Sequence, residues 1–142
     1  MHYTIKQEIP IYNIFIIELI VSDEVDKINE QVEGDEKKFF ACVWKTNHSA
    51  EVDGEKFDRK GVTVILNPNY NKQDKITIGI IAHEAIHVKN MVFEGINYKP
   101  KTNNDEAEAY FMEWIMDFLY INYSKFLEEE KLRKEVEDAI KY

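Results

Sequence analysis

The chain has 142 residues, with 18 Lys and Arg against 27 Asp and Glu, and a formal net charge of −9. A length of this order suits one domain, residues 1–142, with a core of its own, and 44% hydrophobic residues exclude a disordered polymer. The acidic balance excludes a broad nucleic-acid or anionic-membrane surface, which needs clustered Lys and Arg. The lone Cys42 excludes an internal disulfide and a cysteine-built zinc site, and suits a reducing compartment. The first twelve residues lack the basic region and cleavage site of a signal peptide. The most apolar run, residues 9–21, is broken by Asn13 and Glu18 and is too short to span a bilayer. The expectation is a soluble cytoplasmic protein.

In chain order, residues 11–20 are rich in Ile and suit a buried strand. Ser22 followed by Asp23 and Glu24 reads as a helix start, with Val25, Ile28 and Val32 at helical spacing up to Gly34. Residues 39–45 form a short β-type run. Residues 46–60 are polar, carry Gly54, and read as a loop or a long hairpin connection. Residues 61–66, Gly-Val-Thr-Val-Ile-Leu, are the clearest strand. Asp74 caps a predicted helix running to about Phe93, whose Ile81, Ala85, Val88 and Val92 fall on one face. After a loop with Pro100, a second helix is capped by Asn103, Asn104 or Asp105 and runs to about Asn122. Ser124 starts a third, highly charged helix, predicted to pack on the domain through Phe126, Leu127, Leu132, Val136 and Ile140. This order predicts an α+β fold: a small β-sheet with an N-terminal helix, a central helix and C-terminal helices.

The central helix carries His83-Glu84-Ala85-Ile86-His87. Positions i and i+4 lie one turn apart on one side of a helix, so both imidazoles can reach one metal ion at about 2.0–2.1 Å. Glu84 sits between them, placed to act as general base. Both histidines project opposite the Ile81–Val92 stripe, so the helix can bury one side and present the other to a cleft.

A catalytic zinc ion takes a third protein ligand and keeps one position open. No His follows His87, and His48, upstream in the predicted loop, is a poor candidate. The helix after the loop offers Asp105, Glu106, Glu108, Glu113 and Asp117. At about 100° per residue, Glu106, Tyr110, Glu113 and Asp117 share one side, whereas Glu108 lies about 200° from Glu106 among Met112, Ile115 and Leu119. Phase favours Glu106, with Glu113 the rival, since Glu113 and Asp117 make a pair in which Asp117 can orient a ligand.

Taken together, His83-Glu-Ala-Ile-His87, a short connection, and Asn104-Asp-Glu-Ala-Glu-Ala-Tyr110 with Trp114 resemble the small zincin-like metallopeptidases of bacteriophages and bacteria, and more widely the gluzincins. The resemblance covers roughly residues 60–122. It implies a minimal zincin-like domain with Zn²⁺ on His83, His87 and Glu106, and Glu108 at a variable position. It also implies a bacterial host cell as the setting and a peptide or protein as substrate, and it makes the strand at 62–66 a candidate edge strand beside the metal helix, to which a peptide can add.

The expected chemistry is hydrolysis of a peptide bond by a metal-activated water with Glu84 as base. Tyr110, on the Glu106 side, or Tyr98 in the loop is the candidate donor to the oxyanion; Tyr110 is also a candidate core residue. The competing expectation is a catalytically inactive zincin-fold binding or regulatory protein with a structural metal site. The short chain leaves little room for a second lobe, so a protein partner is a candidate to complete the cleft. The acidity is clustered: residues 18–36 hold eight acidic side chains and one Lys, and residues 102–124 hold five acidic and none basic. The second cluster is the expected ligand helix.

Overall fold

A computed structural model describes residues 2–12, 15–24, 41–68 and 76–141. Tyr3 and Ile5 alternate with polar residues, and this two-residue period builds a first strand, β1 (His2–Glu8), where sequence reading had placed none. β1 pairs antiparallel with β2 (Phe15–Ser22), in register from His2↔Ser22 to Glu8↔Ile16. The strand expected over 11–20 therefore begins at Phe15. The chain reverses ahead of it, where Tyr12 N–H donates to the Pro10 carbonyl at 2.7 Å around Ile11, whose φ is 68°. The helix expected after Ser22 falls mostly outside the described residues.

β3 (Ala41–Val52) and β4 (Glu55–Leu66) form one antiparallel hairpin, paired from Ala41↔Leu66 to Val52↔Glu55. The loop expected over 46–60 is therefore strand on both sides of a two-residue turn. Asp53 and Gly54 both have positive φ, 53° and 82°, which is the backbone of a type I′ turn. Asp tolerates that region and Gly enters it without a Cβ clash, and the twist of such a turn matches the flanking strands, so pairing runs unbroken from it.

The four strands lie in the order β1-β2-β4-β3, with β2 and β4 parallel. β4 is thus central, paired on both sides, with Val62, Val64, Ile65 and Leu66 at 1% exposure or less. This overturns residues 62–66 as an edge strand: a run buried on both faces belongs in the middle of a sheet. The outer strand on that side is β3.

Two helices cover one face of this sheet. α1 (Ile78–Gly95) is capped by Thr77, whose hydroxyl accepts from Ile80 N–H at 3.2 Å, rather than by Asp74, which lies outside the described residues. It ends where Asn97, at φ 58°, lets Tyr98 N–H reach the Phe93 carbonyl at 2.8 Å and Asn97 N–H reach that of Glu94 at 3.1 Å, a Schellman closure. α2 (Glu106–Ile140) is a single helix of 35 residues. The break expected at Ser124 is absent because no Gly or Pro interrupts the run and Asn122, buried, turns its amide back to the Phe118 carbonyl at 2.7 Å.

Ile81, Ala85, Val88 and Val92 of α1, and Phe111, Ile115, Phe118, Leu119 and Phe126 of α2, pack with Ile17, Leu19 and Val21 of β2 and Val62, Val64 and Leu66 of β4 in one core. Each such fully buried aliphatic side chain stabilises the fold by about 1.5–3 kcal/mol. Of the stripe expected to hold the C-terminal helix, Phe126 is buried in the core, whereas Leu127, Leu132, Val136 and Ile140 are exposed, so beyond Phe126 α2 does not pack on the described part of the domain. The other sheet face carries a polar chain. Lys6 pairs with Glu18 at 3.5 Å, the Thr63 hydroxyl donates to Glu18 at 3.1 Å, and Thr46 bonds Thr63 at 3.0 Å and His48 at 2.8 Å. Beside it Ile20 and Ile65 pack with Cys42 and Trp44. Among the described residues no helix is long and apolar enough to cross a membrane. Among the described residues the architecture is α+β, a four-stranded mixed sheet with two helices.

Candidate metal centre

The phase of α1 decides what the site contains. With Ile81, Ala85, Val88 and Val92 turned into the core, His83 and His87 stand on the opposite, exposed side. Their Nε2 atoms are 3.2 Å apart and the rings meet edge to face at 72°, with centroids 4.9 Å apart. Two nitrogens bound to one tetrahedral zinc at about 2.0–2.1 Å lie about 3.3 Å apart, so the pair has the bite of two adjacent zinc ligands.

Glu84 behaves differently from its neighbours. It is 5% exposed, on the flank of α1 between the histidines and the core. Burial raises its carboxyl above the ordinary carboxylate value, and charge on His83 and His87 pulls against that. The Cys42 thiol of β3 is pushed up to about 12, by burial first and by the negative charge of Glu84 second. Helical phase gives the flank: Glu84, Met91 and Gly95 share one side of α1 at seven- and eleven-residue spacing, and Met91 and Gly95 line a cavity with Lys45 and Thr46 of β3, so Glu84 lies on the β3 side of α1 rather than on the α2 side, where Lys89 meets Glu108.

The carboxylates of α2 divide as their helical phase requires. Glu108 is half-buried and ion-paired with Lys89 of α1, whose side chain is 12% exposed. Glu106, the first residue of α2, is exposed, as are Tyr110, Glu113 and Asp117. The structure brings together His83, His87 and Glu84. Among the described residues it gathers no group of three or more His, Cys, Asp or Glu side chains at metal-holding separation. Glu106 itself makes no ion pair or hydrogen bond among the described residues.

The remaining candidates are placed as follows. Tyr110 is 67% exposed rather than part of the core. Tyr98 packs edge-on against Phe93, centroids 4.7 Å apart. His48 is buried on the far face of the sheet, hydrogen-bonded to Thr46, its pKa lowered by burial and by Lys6 while Glu18 pulls the other way. It does not join the histidine pair. Gly61 makes room for it, since a Cβ there would lie 2.5 Å from His48 Nε2.

Sequence reasoning missed β3 as the strand beside this site. Lys45 of β3 reaches Glu94 of α1 at 3.4 Å, and the signal for it was the Asp53-Gly54 turn, which extends β3 past residue 45. A comparison with protein-family models, with curated proteins and with solved structures returns no match to this chain.

Proposed function

We propose that this protein is a zinc-dependent peptidase, with His83 and His87 as metal ligands and Glu84 as general base. The observation that carries the reading is the 3.2 Å separation of the two Nε2 atoms on an exposed helix face, with a carboxylate buried between them. A histidine pair with only a structural task has no use for that carboxylate.

A bound zinc ion would supply Lewis acidity and lower the pKa of water toward about 7. Glu84 takes a proton from the attacking water and delivers it to the leaving amine. The flank on which Glu84 lies sets the side of approach, between α1 and β3. Glu106 is the proposed third ligand. Glu108 is held by Lys89, which leaves Glu106 and its rival Glu113, both without a partner among the described residues, and the resemblance favours Glu106. Tyr110, on the same exposed side of α2, is the proposed oxyanion donor.

The test is cleavage of a mixed peptide library by the zinc-loaded protein and by Glu84→Gln. The reading expects turnover that falls at least about a hundredfold in the variant, the lower end of the range for a general base, with zinc retained. Equal turnover by both proteins refutes the role of Glu84. Zinc retention with no turnover by either protein leaves a zincin-like binding module.

A further inference from the structure

The face of α1 that carries the histidines continues toward β3. His83, His87, Met91 and Glu94 follow one another at three- and four-residue steps, so they form one stripe along the helix. At its far end Glu94 is tied to Lys45. Between them lies a cavity of about 200 Å³, with Phe15 and Val62 buried at its floor, Met91 on its wall, and Lys45 and Lys60 exposed at its mouth. This is below the 300 Å³ or so at which whole small-molecule sites begin; it suits one side chain.

Its chemistry is set by composition and position. In a chain of net charge −9 this mouth carries two ammonium groups. Lys45 shares its charge with the exposed Glu94, and Lys60 makes no ion pair among the described residues. An apolar floor beneath a cationic rim selects a carboxylate on a methylene stem over a bare anion, which would leave Phe15 and Val62 uncovered. Position follows from helix geometry. Met91 is one turn and Gly95 two turns beyond His87, about 6 and 12 Å along the axis. An extended peptide rises about 3.3 Å per residue, so two to four residues separate this cavity from the histidine pair. Among the described residues β3 is the outermost strand of the sheet, the position to which an extended peptide adds by backbone pairing.

We propose that this cavity is a specificity pocket for a glutamate side chain of the substrate, two to four residues from the bond cut at His83 and His87. The proposal rests on the peptidase reading above. Its methylenes lie on Phe15, Val62 and Met91, and its carboxylate between Lys45 and Lys60.

The test has two arms on the full chain. In the first, backbone amides are followed by NMR during titration with acetyl-Ala-Ala-Glu-Ala-Ala-amide and with its Gln counterpart. The expected result is shifts at residues 45–47 and 60–62, with the Glu peptide binding at least tenfold more tightly and the difference lost in Lys60→Glu. Lys60→Gln, which removes charge without reversing it, gives the same loss. Equal binding of the two peptides overturns the pocket. In the second arm the zinc-loaded protein is given a peptide library, and Glu is enriched at one position two to four residues from the cut. Cleavage with no acidic preference overturns the pocket and leaves the peptidase. Selective binding of the Glu peptide with no cleavage overturns the peptidase and leaves a carboxylate-binding pocket.

Discussion

Cys42 is a built-in reporter of where the Glu84 carboxylate lies. It is the only thiol in the chain, half-buried on β3, and its pKa is pushed up to about 12. The thiolate is the reactive form. At pH 8 an ordinary thiol of pKa about 8.5 is roughly one-quarter ionised, whereas one of pKa about 12 is ionised in roughly one molecule in ten thousand. Alkylation of Cys42 by iodoacetamide is therefore expected to run about three orders of magnitude slower than that of a free cysteine peptide, down to the floor set by local opening. Because burial outranks the Glu84 charge as the cause, Glu84→Gln accelerates the reaction without restoring the free rate. The assay is the pH dependence of the alkylation rate in both proteins, read by mass. A wild-type rate within tenfold of the free peptide refutes the burial argument. An unchanged rate in Glu84→Gln refutes the placement of the carboxylate on the β3 flank.

Three other outcomes follow from the same physics. Gly61→Ala forces His48 off Thr46, since the new Cβ would meet its ring and lie 3.0 Å from the Ile16 carbonyl oxygen; overpacking of about 1–3 kcal/mol plus a hydrogen bond of about 1 kcal/mol gives a loss of about 2–4 kcal/mol in urea unfolding, and an unshifted midpoint contradicts it. Removing residues 128–142 leaves Tyr123 and Phe126 in the core and takes away a segment whose side chains over 128–141 are nearly all exposed, so stability changes by less than about 1 kcal/mol; a loss above about 2 kcal/mol would show that these turns are packed against something. The raised carboxyl pKa of Glu84 means the folded state holds that proton more tightly than the unfolded state. Its ionisation therefore costs stability as pH rises from the ordinary carboxylate value through the raised one. Metal-free Glu84→Gln should match wild type in acid and melt higher at neutral pH, and a lower melting temperature at pH 7 would reverse the sign of the argument.

How far the sequence could be read depended on whether the deciding interaction was local. The phase of α1 was legible because Ile81, Ala85, Val88 and Val92 repeat at the helical period, which also placed His83 and His87 outward. The separation of Glu106 from Glu108 followed from the same arithmetic, and Lys89 is the partner it left unnamed. Strand pairing was less legible. The 62–66 run is buried on both faces, but whether such a run lies at an edge or in the middle depends on β2 and β3, which are distant in sequence. The Asp53-Gly54 turn was a local signal for a long hairpin, outweighed in the reading by the polarity of residues 46–60. In an antiparallel pair that polarity is ordinary, since alternate residues face away from the core. Ser124 misled because a favourable capping residue starts a helix only where the preceding one ends, and nothing between Glu106 and Ile140 ends it.

The central claim is that His83 and His87 form a metal site with Glu84 beside it. Calorimetric titration of the metal-free protein with zinc tests this most directly. The account predicts one zinc ion per chain in wild type and in Glu84→Gln, and none in His83→Ala or His87→Ala. Unchanged stoichiometry in either histidine variant, or no zinc bound by wild type, would contradict it.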